Sequence, residues 1–181
     1  MATVATMEEL FLGEIRDLYD AEKQLTKALP KMAKAASSES LREAFENHLA
    51  ETRKQVGRLE EIFSQLDQKP TGKKCAAMKG LISEGEDVAG DTEDTAVRDA
   101  GLIAAAQKVE HYEISGYGSA RTHARMLGHV QAVSLLEETL NEEKQADRKL
   151  NDLAENGINE EAADGALSQG AKPGIRTAGG H

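Results

Sequence analysis

The stretch Ala104-Ala-Ala-Gln-Lys-Val-Glu-His-Tyr-Glu-Ile114 sets two carboxylates, Glu110 and Glu113, inside the most apolar helical run of the chain. A charged group on a helix face that packing buries is costly unless something pairs with it. Three other long helical patterns also carry acidic residues beside their apolar stripes. Four helices aiming carboxylates at one core is how a helical bundle binds a pair of metal ions.

Glu110 and Glu113 belong to the third long pattern, residues 95–126, with its stripe at Leu102, Ala105, Val109, Glu113, Tyr117, Ala120 and Leu127. The first pattern spans residues 8–35, through Leu10, Glu14, Leu18, Ala21, Leu25, Ala28, Leu29 and Met32, with Pro30 predicting a kink near its end. The second spans residues 40–66, through Leu41, Phe45, His48, Thr52, Gln55, Leu59, Ile62 and Leu66. The fourth spans residues 129–155, through Val133, Leu136, Leu140, Glu143, Asp147 and Leu150, and Asn156-Gly157 stops it. The breaks at Ser37-Ser38 and at Gly128 are tight, so each makes an antiparallel pair. Between the pairs, residues 67–94 hold a turn with Pro70 and Gly72, a short helix over residues 75–88 and a second break. That length reaches from one end of a bundle to the other, at ~1.5 Å per helical residue. The second and third long helices are then parallel. The expected fold is all-α: a ferritin-like four-helix bundle over residues 1–158, with a long crossover that carries a short extra helix. Residues 159–181 are rich in Gly and Ala without periodicity and are expected to form a flexible tail.

Composition narrows the function. The 181 residues suffice for one domain with a sizeable core. Aromatics are 3% and Trp is absent, so packing is aliphatic. A net charge of -10 argues against a nucleic-acid partner. The single cysteine, Cys75, precludes an internal disulfide and points to a reducing cytoplasm. No apolar run reaches the length of a membrane span, and residues 1–9 lack the pattern of a signal peptide.

Heights along the bundle follow from counting residues back from the tight turns. Glu22, Glu51, Glu113 and Glu143 each lie about 15 residues, or roughly 22 Å, from a turn, which is mid-height. His48, Glu110 and Asp147 form a neighbouring layer about one helical turn away. On the first helix Glu22 is the preferred ligand, Asp17 the alternative and Glu14 the third choice. Carboxylates with one imidazole suit iron or manganese better than zinc or copper. Such a pair of ions sits ~3.5–4 Å apart under bridging carboxylates. Each of these side chains also has a plain reading as a solvated flank or a core histidine, which Glu113 and Glu143 resist by lying near the centres of their apolar arcs. Lys108, Lys144 and Arg148 point away by phase. His111 faces outward, and His123 and His129 lie near the second turn. Tyr117 is close enough to hydrogen-bond a ligand. Gly116 and Gly118 are read as close packing, and Cys75 as structural.

Asp17-Leu-Tyr-Asp-Ala-Glu-Lys-Gln-Leu, His48-Leu-Ala-Glu-Thr, Gln107-Lys-Val-Glu-His-Tyr-Glu-Ile and Thr139-Leu-Asn-Glu-Glu-Lys-Gln-Ala-Asp together resemble the YciF/YciE family of bacterial stress-response proteins. The resemblance covers about residues 7–158. It implies a ferritin-like fold, a dinuclear metal centre of two Fe or Mn ions, and a homodimer. Glu110-x-x-Glu113 is also similar to the paired glutamates of rubrerythrin's third bundle helix. The chain departs from the usual ferritin-like Glu-x-x-His on two helices. Its second helix reads His48-x-x-Glu51, and its fourth Glu143-x-x-x-Asp147 without His. It lacks a rubredoxin-like cysteine set, and its sequence names no redox partner.

The expected function is therefore a stress-response di-metal protein that reacts with peroxide or oxygen or handles iron. A second reading is a non-catalytic helical interaction protein with a relic acidic core. Iron storage in a cage ranks third, because no assembly surface is legible.

Overall fold

The computed structural model describes the backbone of residues 4–170 and the side chains of residues 4–164. Its elements are α1 (Met7–Ala35), α2 (Glu39–Gln65), α3 (Ala76–Asp91), α4 (Thr95–Met126), α5 (Val130–Leu153) and α6 (Asn159–Gly170). Every element among the described residues is helical. Among the described residues no helix is long and apolar enough to cross a membrane.

Local chemistry sets the helix starts. Thr6 caps α1 by a reciprocal box with Glu9. Ser38 caps α2, the Cys75 sulfur caps α3, and Asp94 accepts from Ala96 and Val97 at the start of α4. α1 runs on through Pro30 to Ala35. Gly128 takes the left-handed conformation (φ +79°) that ends α4 and admits the three-residue connection, residues 127–129, into α5.

Each long helix packs against two others: α1 on α2 and α4, α5 on α4 and α2. Partners run antiparallel. Tyr19 of α1 meets Glu60 and Phe63 near the end of α2. Glu14 meets His123, whereas Ser37, just beyond α1, meets Asp99. Arg58 meets Glu138 and His48 meets Glu143 between α2 and α5. Consequently α2 and α4 are parallel, and residues 66–94 cross over between them. Within that crossover α3 lies on α4 and α1.

The apolar core is in two parts. Leu25, Leu29, Leu41, Phe45, Leu102, Ile103 and Leu150 form one cluster toward the α1–α2 turn. Phe11, Ile15, Leu18, Leu59, Ile62, Tyr117 and Leu136 form the other toward the α4–α5 turn. Between them lies a layer of buried polar groups. The stripes read from periodicity recur here with one shift. On α1, Phe11 and Ile15 are buried, while Leu10 is 39% exposed. The spacing Phe11, Ile15, Leu18, Glu22, Leu25 follows the helical period to the core better than a stripe begun at Leu10.

The expected boundary at residue 158 is a kink. Gly157 adopts φ +144° and interrupts the helix, as the Asn-Gly pair foretold, but the chain resumes as α6 over Asn159–Gly170. Ile158 and Ala162 are buried, and α6 lies on α4, so residues 159–170 are no free tail. Small Ala residues give that segment an apolar side too weak for periodicity to register. Residues 171–181 of the expected tail lie outside the described residues.

Candidate metal centre

Each long helix delivers a polar side chain at mid-height by the same three- and four-residue spacing that buries its apolar neighbours. Glu22 stands between Leu18 and Leu25 on α1, His48 follows Phe45 on α2, and Glu113 stands between Val109 and Tyr117 on α4. Glu110 is one turn earlier on α4, and Glu143 follows Leu140 on α5. Glu22, Glu113 and Glu143 are wholly inaccessible, and Glu110 and His48 are buried. His48, Glu110, Glu113 and Glu143 each offer one ligand-type atom, all within 4.8 Å of one another. His48 Nε2 lies 3.3 Å from Glu110 Oε1 and 3.7 Å from Glu143 Oε2. Glu22 adjoins Glu113 and accepts a hydrogen bond from the Tyr117 hydroxyl. Gln55 donates to Glu143 and, at 3.0 Å, to Glu142 Oε2.

Four carboxylates share this dry space with one imidazole, and their acidities respond. Burial pushes Glu22 up to about 7, although the Tyr117 hydroxyl and the His48 charge pull it down. Burial likewise raises Glu110 against the pull of His48. Glu113 goes well above the usual carboxylate range, through burial and then the charges of Glu22, Glu143 and Glu110. Glu143 does so through burial and the charges of Glu110 and Glu22. For His48 burial opposes the charged form, but Glu110, Glu51 and Glu22 overcome it and lift the imidazole to about 9.

The residues fit a metal. Native proteins pair nearly all buried polar atoms. Here eight lack a hydrogen-bond partner: both nitrogens of His48, both oxygens of Glu113, and one oxygen each of Glu22, Gln55, Glu110 and Glu143. Among the described residues the cationic partner of these carboxylates is the imidazole itself, and Arg58 is engaged by Glu138 and Glu142. Oxygen-rich donors with one nitrogen, in excess negative charge, are the set that hard or borderline divalent ions take.

The other candidates lie around this group. Glu51 sits at its rim, 42% exposed, with Oε2 3.6 Å from His48 Nδ1, and the ring holds its carboxyl below the usual range. Asp147 stays outside: it faces His111 Nε2 at 3.3 Å and Gln107, on the half-exposed seam of α4 and α5. It lies a full turn beyond Glu143 and at the edge of the apolar arc. Asp17 is turned to Tyr112, which donates to it, and Glu14 to His123 Nδ1 at 2.6 Å. The two separate layers expected from counting are thus one mixed group. Rise gives height, whereas phase and side-chain reach decide what meets, and Glu and His span about a turn. Tyr117 does bond a carboxylate of the cluster, as anticipated. Gly116 lets Leu18 approach to 2.9 Å of where a Cβ would stand, whereas Gly118 faces open space. Gln55 and Asp99 were not singled out from sequence. The signal for Gln55 was its place on the α2 stripe, between Thr52 and Leu59.

Fold and site together define an all-helical protein built around a buried cluster of carboxylates and one imidazole. Comparison with known proteins gives it a lineage. The chain belongs to the family described as a domain of unknown function, DUF892, whose model matches residues 6–163. It is 51% identical to the protein YciF of Escherichia coli over 158 residues, covering 87% of this chain and 95% of that one. The family inferred from the four quoted segments is therefore the right one. The crystal structure of the E. coli stress protein YciF superposes with a TM-score of 0.83 at 50% identity, covering 86% of this chain and 99% of that one. YcfI from Rhodopseudomonas palustris gives 0.80 at 49% identity, with 82% and 94% covered. A Xanthomonas campestris protein at 20% identity shares the fold, with a TM-score of 0.68 over 91% of this chain and 99% of that one.

Proposed function

We propose that the chain is a ferritin-like bundle protein of stress response whose buried cluster holds a dinuclear iron or manganese centre. It reacts there with peroxide or oxygen, or handles iron. The observation that carries this reading is the convergence of Glu22, His48, Glu110, Glu113 and Glu143, from four helices, with seven of their buried polar atoms unpaired. Likeness to a protein described as a stress protein supports the setting. Two divalent ions would balance four carboxylates.

In this reading Glu113 and Glu143 are the central ligands, with Glu110, Glu22 and His48 beside them. Bound metal supplies the electron transfer that carboxylates and imidazole lack. The remaining chemistry belongs to the chain. Tyr117 fixes the orientation of Glu22 through its hydroxyl, and Gln55 fixes Glu143 through its amide. The two apolar clusters above and below keep bulk water out. His48, lifted to about 9, is the cluster's proton carrier when no ion holds its nitrogens.

Metal analysis and melting test this. Protein from its native host should carry about two Fe or Mn per chain. Chelated protein should melt higher when Fe(II) or Mn(II) is restored without oxygen, because a ligand of the folded state stabilises it. A chelated protein that binds neither ion, and whose melting neither ion moves, is the relic acidic core of an interaction protein.

A further inference from the structure

The cluster is closed along its α1–α4 seam and open along the other. On the α1–α4 side Tyr117 is wholly buried and Gly116 admits Leu18 close against α4. A cavity of about 420 Å³ lies farther out there, lined by Asp17, Tyr112 and Gly13, and none of the five buried cluster residues reaches it. Between α2 and α5 a cavity of about 140 Å³ does reach the cluster. Its floor is His48 and Glu110, both buried, and both ring nitrogens of His48 lack hydrogen bonds. Ala146 forms part of its wall, and its mouth carries the exposed Asn47 and Lys149. Glu51 stands between mouth and floor, half-exposed and next to the imidazole.

We propose that this cavity is the entry port of the cluster, through which divalent cations and reactants of peroxide size pass from the mouth at Asn47 and Lys149 to His48 and Glu110, with Glu51 as the transfer carboxylate. The inference rests on the metal-centre reading and deepens it by naming the route by which ions and reactants reach the centre. A space of this volume holds a few water-sized molecules and excludes organic substrates of ordinary size. A carboxylate that is partly hydrated can take a cation from water at little desolvation cost and pass it to donors that are buried. Glu51 fits that role better than a place in the buried group, because it alone of the proposed donors is in contact with both solvent and His48.

Co(II) uptake by the chelated full-length protein, followed by its visible absorption in a stopped-flow mixer, tests the port. Ala146→Phe fills the cavity from a position that is itself no proposed ligand. It should slow uptake by roughly tenfold or more, while the final Co(II) stoichiometry and the melting of the chelated protein stay near wild type. Gly13→Leu, where an added Cβ meets nothing within 4 Å, fills the other cavity and should leave uptake unchanged. Ala146→Cys capped by a small methanethiosulfonate after folding is a second block that does not depend on the larger residue folding. Wild type treated alike is its control, since Cys75 is only 1% exposed. Removing the cap by reduction and desalting should restore the rate. Full loading at an unchanged rate in both blocked proteins overturns the port and leaves the metal centre standing. Absence of Co(II) uptake in the wild type overturns the metal centre, and the port with it.

Discussion

Glu113 is wholly buried, and neither of its oxygens finds a hydrogen bond. Its carboxyl is driven toward the neutral form by burial and by three neighbouring carboxylates. Glu113→Gln keeps the shape and removes the charge. In chelated protein at neutral pH it should raise stability by about 1–3 kcal/mol, because the amide is neutral without taking up the proton that the buried carboxyl must acquire. The same variant should lose most of the melting rise that Fe(II) or Mn(II) gives wild type. Calorimetry of both proteins with and without metal decides it: a variant less stable than wild type when chelated, or one that keeps the full metal response, contradicts the central place of Glu113. At this scale the sequence was informative where a charge lay at the centre of an apolar arc, as with Glu113 and Glu143. It was uninformative at the edges of arcs. Asp147, Glu51 and Asp17 differ from the core residues by a fraction of a turn, and which way such a side chain swings depends on the neighbour it meets.

Elements are held in register by contacts that no local pattern announces. Asp99, 3% exposed near the start of α4, accepts from the backbone N–H of Ser37 at 2.9 Å and of Ser38 at 2.6 Å. It thereby ties the α1–α2 turn to a helix more than sixty residues away in sequence, and satisfies donors that would otherwise be stranded. Asp99→Ala should destabilise the protein by about 1–3 kcal/mol, with Asp99→Asn recovering part of that. Denaturant melts would expose an error here if the Ala variant unfolds at the wild-type midpoint. Arg58 does comparable work between α2 and α5, bonding Thr139 at 3.2 Å and both Glu138 and Glu142. The helices themselves were legible from periodicity and caps, and so was the Asn156-Gly157 break. The return of the chain as α6 was not. Its stability comes from lying on α4, and its own stripe is too short to show.

For the whole molecule, the polar layer makes stability depend on pH. Glu22 is raised from 4.5 to about 7, so its contribution is full below the unfolded value and is lost as pH rises through 7. His48 is raised from 6.5 to about 9, so its contribution is full below 6.5 and is lost as pH rises through 9. Both act in the same direction. Chelated protein should therefore melt progressively lower from about pH 5 to 9. Metal takes the place of protons on the carboxylates and imidazole, so its stabilising effect should grow over the same range. Melting curves at several pH values, with and without Mn(II), would refute the arrangement if the metal-induced rise shrinks as pH increases. The four long helices, the short crossover helix, their ends, the tight turns and the long crossover, though not α6, were determined by the chain's own sequence, because periodicity, caps and loop length are local properties read in order. So was the presence of acidic groups on inward faces. The tertiary structure decided which of those groups meet, that they form one group, that Gln55 and Tyr117 steady it, and that it opens between α2 and α5. Those outcomes depend on the relative rotation of four helices and on side chains reaching across them, and no single helix encodes either.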